Sequence, residues 1–535
     1  MRLLRVYIDG YRNLKDVTVD FDKDSLTTVV IGENGSGKSN LIEAIVEVFR
    51  AHDLDQPGNI RFNYEIEYMI RGWHVTVGNR GSEKTYILRA HQGEPGGIEV
   101  EAQDYRMRDQ FLPDLIFGYY SGSGSRLEGL FKEHQKQYYD VIKNNITRQM
   151  YDLAKSERRL FYCRPVHGAL ALLAQFGYPG DRPEIAPLVQ KTVRINGFNS
   201  ALAILKQPSW FKGSQVQAKR DASRLWGAHG PAGECARALH RVAFHPMEID
   251  TAKVADDYRR QARPESQVAC FIRDEAALQL FAKHFNNDRE MFDAMEAADI
   301  SDLFRDVVVW VNRTSDDDRD ISFSDLSDGE RQLLMVLGLI RVSRGKEALF
   351  LLDEPDTHLN PSWQLTYLEL IKEWTEIATD DNADKCQIIM TTHNPLTIAA
   401  LEAKEVRVMS TDDTGKVSVA PPRIDPKGLG FAGVLTDIFG LSSSLDKPTQ
   451  EKIDRRNELA REEELTPAMA REFADIKEEL RHLGFLYEER DKLYSEFLRQ
   501  LDKVELADVD PLTPDELRAR EAESREIVER LLKKP

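Results

Sequence analysis

The sequence predicts an α/β fold built on a buried, largely parallel sheet whose strands come from both ends of the chain. Three observations carry this expectation. A nearly continuous apolar run, Leu26 to Ile31, leads into Gly32-Glu-Asn-Gly-Ser-Gly-Lys-Ser39. A second run, Ala348 to Leu352, ends on Asp353-Glu354, and a third, Gln387 to Thr391, ends on Thr392-His393-Asn394-Pro395. Short apolar runs without alternation are the pattern of strands covered on both faces.

Ahead of the glycine loop, Leu4, Val6 and Ile8 alternate with polar residues, as do Val17, Val19 and Phe21, so two half-buried strands are expected. After the loop, Leu41, Ile42, Ile45, Val46 and Phe49 recur at helical spacing. Residues 60–100 read as short strands with turns at Arg71-Gly72 and Gly93 to Gly97, an antiparallel layer. From 127 to 305 the pattern is mostly helical, broken at Tyr178-Pro-Gly180 and Gly227 to Gly233, without the sustained heptads of a coiled-coil arm. Parallel-type strands return at Val307 to Val311, Ala348 to Leu352, Gln387 to Thr391 and Val406 to Met409. Beyond residue 446 the chain is densely charged with both signs mixed. There Phe473, Ile476, Leu480, Leu483 and Tyr487, then Leu493, Phe497 and Leu501, keep helical steps. Thr513-Pro-Asp-Glu516 reads as the cap, first-turn proline and capping-box glutamate of a last helix. The expected division is an N-terminal lobe over 1–126, a helical insertion over 127–305, a C-terminal lobe over 306–445 and a helical assembly or partner-binding region over 446–535.

Composition bounds the function. With 535 residues, 41% hydrophobic and 30% charged, the chain is neither a small module nor wholly disordered. Its longest apolar stretch, around Ala169 to Phe176, falls short of the roughly 18–20 residues a membrane span needs. Charges interrupt the N-terminal residues Met1 to Asp9, so a signal peptide is not expected and a cytoplasmic location is. The four cysteines, Cys163, Cys235, Cys270 and Cys386, lie far apart and read as buried thiols rather than a zinc or disulfide framework. A net charge of −18 opposes broad wrapping of nucleic acid. A local groove stays open as a candidate over 191–230, where Lys191, Arg194, Lys206, Lys212, Lys219, Arg220 and Arg224 interleave with Trp210, Phe211 and Trp226. Such cations could neutralise phosphates while the rings stack on bases, although a basic face over buried tryptophans is the commoner explanation.

The chemistry sits at the three strand ends. A loop of little side-chain bulk lets successive backbone N–H groups converge on phosphate oxygens, and Gly32, Gly35 and Gly37 supply that freedom, with Asn34, Ser36 and Asn40 completing the nucleotide-binding loop. Lys38 is placed to bridge β- and γ-phosphates and Ser39 to offer its hydroxyl to Mg²⁺. Asp353 suits the same metal, and Glu354 suits a general base for the attacking water. Leu326-Ser327-Asp-Gly329-Glu330 puts a serine and a glycine at a helix N-terminus, which favours an anion. His393 brings an imidazole to the same sheet edge.

The order of glycine loop, Leu-Ser-x-Gly-Glu, Leu-Leu-Asp-Glu-Pro and Thr-Thr-His-Asn-Pro resembles the ATP-binding-cassette (ABC) ATPases of the RecF, SMC and OLD group, as does Gly10-Tyr11-Arg12-Asn13-Leu14. The matching cassette covers roughly residues 1–60 and 305–410. The resemblance implies an ABC-type ATPase head: a mixed, mainly parallel sheet with its phosphate loop, an antiparallel β layer, a large mostly helical insertion and a helical C-terminal tail. It also implies ATP and Mg²⁺ as cofactors, with two heads sandwiching two nucleotides. Lys38, Ser39, Asp353 and Glu354 would then act in cis, Ser327 and Gly329 in trans, and His393 as γ-phosphate sensor, with Arg12, Asn13 and Glu330 among the nucleotide-binding residues. The sequence departs from that pattern in two places: no glutamine can be assigned to the loop that contacts the metal, and Leu359-Asn360-Pro361 stands where transporter cassettes carry aspartate.

A finer resemblance lies in Tyr119-Tyr120-Ser121-Gly122 with Arg126-Leu127, Phe161-Tyr162-Cys163-Arg164-Pro165, Leu435 to Leu441, and Leu483-Gly-Phe485 with Arg490-Asp491. These are similar to bacterial anti-phage defence ATPases of the Septu and retron-associated PtuA type, which implies a homo-oligomer and an HNH-type nuclease partner. No nuclease site of its own is expected, since Asp508 and Asp510 lie in a polar linker and HNH-like spacing is missing. The expected function is an ATPase that regulates an effector nuclease; the alternative is a RecF/SMC-like DNA repair or DNA-clamping ATPase.

Overall fold

The computed structural model describes residues 1–79, 87–92, 99–101, 110–122, 124–144, 149–150, 158–180, 185–254, 261–313, 320–342, 346–378, 386–412, 414–441, 445–461 and 466–483. The chain divides into two compact units, Met1–Phe439 and Gly440–Pro535.

In the first unit the strands run in chain order as β1 (Arg2–Asp9), β2 (Val17–Asp20), β3 (Thr27–Gly32), β4 (Asn63–Ile70), β5 (Trp73–Gly78), β6 (Ile87–Gln92), β7 (Glu99–Glu101), β8 (Leu115–Tyr120) and β9 (Leu160–Tyr162). They continue as β10 (Ile195–Lys206), β11 (Met247–Val254), β12 (Arg263–Ile272), β13 (Phe304–Arg313), β14 (Asp320–Ser322), β15 (Ala348–Asp353), β16 (Cys386–Thr391), β17 (Val406–Thr411) and β18 (Val417–Ala420). Three sheets result. The central one has seven strands in the order β18-β17-β3-β16-β15-β8-β9, parallel except for β18. The antiparallel layer, β2-β1-β4-β5-β6-β7, has six strands. A five-stranded antiparallel sheet, β11-β12-β10-β13-β14, completes the unit.

Every residue of β3, β15 and β16 is buried, the mark of central parallel strands with both faces covered. Because strand side chains alternate, one sheet feeds two cores. Val30, Leu349, Leu351 and Ile389 join the helix Lys38–Asp53 and the antiparallel layer. Val29, Ile31, Phe350, Leu352, Ile388 and Met390 join the cluster containing the helices Val166–Gly177 and Asp288–Ile300.

Three features differ from expectation. Val307 to Val311, expected among the parallel strands, lies in β13, antiparallel to β10 and β14. Val309 and Val311 are buried while their neighbours are partly exposed, and such alternation belongs to a half-covered strand rather than a central one. The interval 127–305 is rich in helix, and it also supplies β10, β11 and β12, so the insertion carries most of a sheet beside its helices. β8 was not anticipated: its six residues include Gly118, where a Cβ would lie 2.4 Å from the Phe131 ring, so a helix closes directly over the strand.

In the second unit the described part is a pair of contacting helices, Lys447–Arg461 and Pro467–His482. Thr466 caps the second by accepting from the Met469 N–H at 3.3 Å, with Pro467 in the first turn. Arg455 bridges them through Glu472, and Lys452 through Glu479. Tyr487, Leu493, Phe497, Leu501, Asp508, Asp510 and the Thr513 cap lie outside the described residues.

Candidate functional site

The phosphate loop begins where β3 ends. Gly32 adopts φ +152°, and a Cβ there would sit 2.1 Å from the Met409 carbonyl oxygen. Gly37 (φ +106°) abuts Asn13, whose Oδ1 would lie 2.8 Å from an added Cβ. Both glycines are therefore required by space as well as by dihedral angle. Asn13 donates from Nδ2 to the Gly35 carbonyl (3.0 Å) and accepts from Asn40 Nδ2 (2.6 Å). Arg12 donates to Asn40 Oδ1 (3.1 Å) and pairs with Glu43 (2.8 Å). The turn at residues 10–14 thus braces the loop from outside. Asn34 is exposed at the loop, whereas Ser36 is buried and its hydroxyl has no partner. Lys38 Nζ folds back on the Gly32 (2.8 Å) and Glu33 (3.1 Å) carbonyls. Burial pulls its ammonium below the ordinary lysine value, while Glu354 and Asp353 act in the other direction.

β15 delivers Asp353, only 3% exposed, to the same edge. Its Oδ1 accepts from Ser39 Oγ at 3.1 Å and from the Thr391 hydroxyl at the end of β16. Burial pushes the carboxyl up, and those two donors draw it back. Ser39 and Asp353 therefore present facing oxygen donors, the set a hard divalent cation selects. With Lys38 and the unpartnered Ser36 hydroxyl beside them, the residues fit a Mg²⁺–triphosphate.

Glu354 occupies the left-handed region (φ 53°), held by its N–H donating to the Thr391 carbonyl and hydroxyl, both at 3.1 Å. Strained backbone of this kind concentrates at functional sites. It sets the Glu354 carboxylate 3.3 Å from His393 Nδ1. Asp356, unmarked by any sequence motif, is 1% exposed and accepts from the Thr392 (2.7 Å) and Thr397 hydroxyls. It clamps the segment after β15 to the segment carrying His393. Asn394 accepts from Leu396 N–H (3.0 Å) and, with Pro395, starts the next helical turn.

Ser327 and Glu330 form a reciprocal cap at the start of the helix Asp328–Val342. The Ser327 N–H and hydroxyl each donate to Glu330 Oε2 at 2.9 Å, and the Glu330 N–H donates to Ser327 Oγ at 3.3 Å. Arg313 pairs with Glu330. Gly329 packs so closely that a Cβ would lie 2.6 Å from the His358 carbonyl oxygen, and Gln332 donates to the Pro355 carbonyl. This helix tip therefore rests on the segment following Glu354. Among the described residues no hydrogen bond or ion pair joins Ser327, Gly329 or Glu330 to residues 32–39 of the same chain.

The neighbour of Asp353 on its other side is the end of β8, in parallel register with Tyr120 opposite Asp353. The Ser121 N–H donates to the Asp353 carbonyl (3.3 Å) and its hydroxyl to Thr357 Oγ1 (3.2 Å). Tyr120-Ser121, with no glutamine, occupies the strand end beside the carboxylates.

In the basic stretch 191–230, Trp226 is buried, while Trp210 and Phe211 are partly exposed. Trp226 is 3% exposed and donates to the Ala218 carbonyl (3.0 Å), Trp210 donates to the Ser301 carbonyl (2.8 Å), and Lys206 pairs with Asp302. Trp226 packs inward because that buries more apolar area than an exposed ring could. All four cysteines are buried thiols. Among the described residues, no helix is long and apolar enough to cross a membrane.

A sequence-family model described as an AAA ATPase domain matches residues 1–157, and one described as "AAA domain, putative AbiEii toxin, Type IV TA system" matches residues 251–399. The chain is 30% identical over 130 residues to Septu protein PtuA of Bacillus mycoides (strain KBAB4), covering 23% of this chain and 17% of that protein. It is 32% identical over 128 residues to Septu protein PtuA of Bacillus thuringiensis, covering 20% and 30%. The match thus spans less than a third of the length of either relative. Among solved structures, the SMC head domain from Thermotoga maritima is 15% identical over 79% of this chain and 100% of that one, with a TM-score of 0.28. The RecF–ATP structure is 12% identical over 78% and 97%, with a TM-score of 0.25. Superpositions this loose determine no feature of the site. Two stretches of the chain thus match ATPase-domain models, and part of it is similar to Septu PtuA.

Proposed function

We propose, for a chain whose two lobes match AAA ATPase families and which resembles Septu PtuA, that it binds and hydrolyses ATP and that its nucleotide state controls an associated effector nuclease in anti-phage defence. The observation that carries the ATPase reading is the convergence on one sheet edge of Ser39, Asp353 and Thr391 in a single hydrogen-bonded set, with Glu354 turned onto His393. When bound, Mg²⁺ would be held by Ser39 and Asp353 and would neutralise charge on the β- and γ-phosphates.

The chain's own residues divide the remaining tasks. The N–H groups of residues 34–39 cradle phosphate oxygens, and the Ser36 hydroxyl gains the partner it lacks. Lys38 exchanges two carbonyl acceptors for phosphate oxygens, so its desolvated charge is better matched with nucleotide than without it. Glu354 accepts the proton of the attacking water, and His393, beside it, reads the γ-phosphate. Ser327 and Gly329 belong to the site of a second copy: the helix tip is finished and capped, yet makes no bond to its own phosphate loop among the described residues. The division of labour we infer is a composite head from 1–126 and 306–445, an insertion over 127–305 that braces it, and a tail over 446–535 used for assembly and for an HNH-type nuclease partner. Glu354→Gln tests the reading. It should abolish turnover and retain ATP binding, because the phosphate and metal contacts survive. Sustained hydrolysis by that variant would refute the assigned base.

A further inference from the structure

Arg126 opens the helix Arg126–Ile142, six residues beyond the end of β8 and on the same sheet edge as the phosphate loop. Its placement has no local justification. A cation at a helix N-terminus opposes the dipole, and Ser125 supplies no side-chain cap to offset it. The side chain is 60% exposed and, among the described residues, held by one ion pair, 3.3 Å to Glu43 Oε1. Glu43 is on the helix that follows the phosphate loop, one turn after Ser39, so the two share a face. Tyr120 stands opposite Asp353 in the parallel register, so the strand that leads on to Arg126 ends beside the carboxylate assigned to the metal.

Glu43, 3% exposed, could not be left without a partner. It has others: Arg12 at 2.8 Å and the Tyr11 hydroxyl at 3.2 Å, both on Oε2. Arg126 can therefore be withdrawn while the buried carboxylate keeps a cation and a hydrogen bond. An exposed guanidinium with one ion pair among the described residues, beside a redundantly satisfied anion, is built to change partners.

We propose that Arg126 leaves Glu43 for the γ-phosphate when nucleotide is bound and stabilises, from within the same chain, the negative charge that develops there during hydrolysis. The inference rests on the ATPase reading above. A planar guanidinium matches phosphate oxygens in pairs, and a cation aimed at a developing charge acts on the transition state more than on the bound substrate.

The test uses the full chain and compares the parent with Arg126→Ala and Arg126→Lys in three measurements: Mg²⁺-ATP turnover, affinity for a fluorescent ATP analogue, and trapping of ADP with aluminium fluoride. For Arg126→Ala, kcat should fall about a hundredfold, the size of a lost charge-stabilising donor. Analogue affinity should stay within about twofold, trapping should be lost and the unfolding midpoint unchanged, since only a transition-state contact is removed. Arg126→Lys should regain part of both turnover and trapping. Trapping equal to the parent's would overturn the assignment, as would a loss of turnover matched by an equal loss of analogue affinity, or a lysine variant as inactive as the alanine one. A parent chain that binds the analogue without turning over or trapping contradicts the ATPase reading itself, and the role of Arg126 falls with it.

Discussion

Gly329→Ala perturbs the contact by which the Ser327 helix tip rests on the segment after Glu354. The added Cβ would lie 2.6 Å from the His358 carbonyl oxygen and 3.3 Å from its carbon. These are backbone atoms, and Gln332 fastens the same segment through the Pro355 carbonyl, so no flexible side chain can give way. Relief must come from moving the helix tip or the segment 355–359, and overpacking of this kind costs about 1–3 kcal/mol. Equilibrium denaturation of the full chain in urea, read beside ATP turnover and nucleotide affinity, checks the consequence. Stability should drop by that amount and turnover should collapse, because the tip proposed to serve a second copy is displaced. Affinity for ATP should change little, because residues 32–39 are untouched. A variant with stability within about 0.5 kcal/mol of the parent, the range of an ordinary surface change, and with full turnover would refute the packing argument.

Three further expectations follow from the same geometry. Asp356→Ala leaves the Thr392 and Thr397 hydroxyls without their buried acceptor, at about 1–3 kcal/mol for each unsatisfied group; a denaturation midpoint equal to the parent's would contradict it. His167, buried with Arg158, Arg164 and Glu296 around it, is held well below the usual imidazole value of 6.5, by burial first and the two arginines next. It stays neutral in the fold and protonates in the unfolded chain, so its contribution is complete above about pH 6.5 and is lost as pH falls, by up to about 1.4 kcal/mol per pH unit. His167→Gln should flatten the dependence of the unfolding midpoint on pH between about 5 and 6.5, and an unaltered slope would count against a neutral His167. Gly118→Ala, whose Cβ would meet the Phe131 ring at 2.4 Å, should cost about 1–3 kcal/mol, measured by the same denaturation.

Much of the site was legible in the sequence because each part is a short run whose geometry is local. A glycine loop between an apolar strand and an amphipathic helix can be recognised without knowing its neighbours, and so can Asp353-Glu354 after Ala348 to Leu352. His393 was readable for the same reason. What escaped depends on contacts distant in sequence. β8 is a brief run interrupted by Gly118, and only its pairing with β15 makes it a central strand that sets Tyr120-Ser121 beside Asp353. Asp356 looked like one more acid in Asp353-Glu-Pro-Asp; its burial appears only once Thr392 and Thr397 close over it. β10 was hidden in a helix-rich interval because its partners in β12 and β13 lie tens to more than a hundred residues away. The tryptophans of the basic stretch could not reveal from composition which way they faced.

Whether one nucleotide is served by two copies of the chain can be measured by mixing. Lys38→Ala destroys a phosphate loop and spares the Ser327 tip; Ser327→Arg does the reverse. In a symmetric pair of subunits, only a mixed pair joins an intact loop to an intact tip, at one of its two sites. Each variant alone should be inactive, and an equal mixture, after subunit exchange, should recover about a quarter of the parent turnover, half the pairs being mixed with one working site each. A mixture as inactive as its components, despite demonstrated exchange, would contradict the account, as would full activity in Ser327→Arg alone.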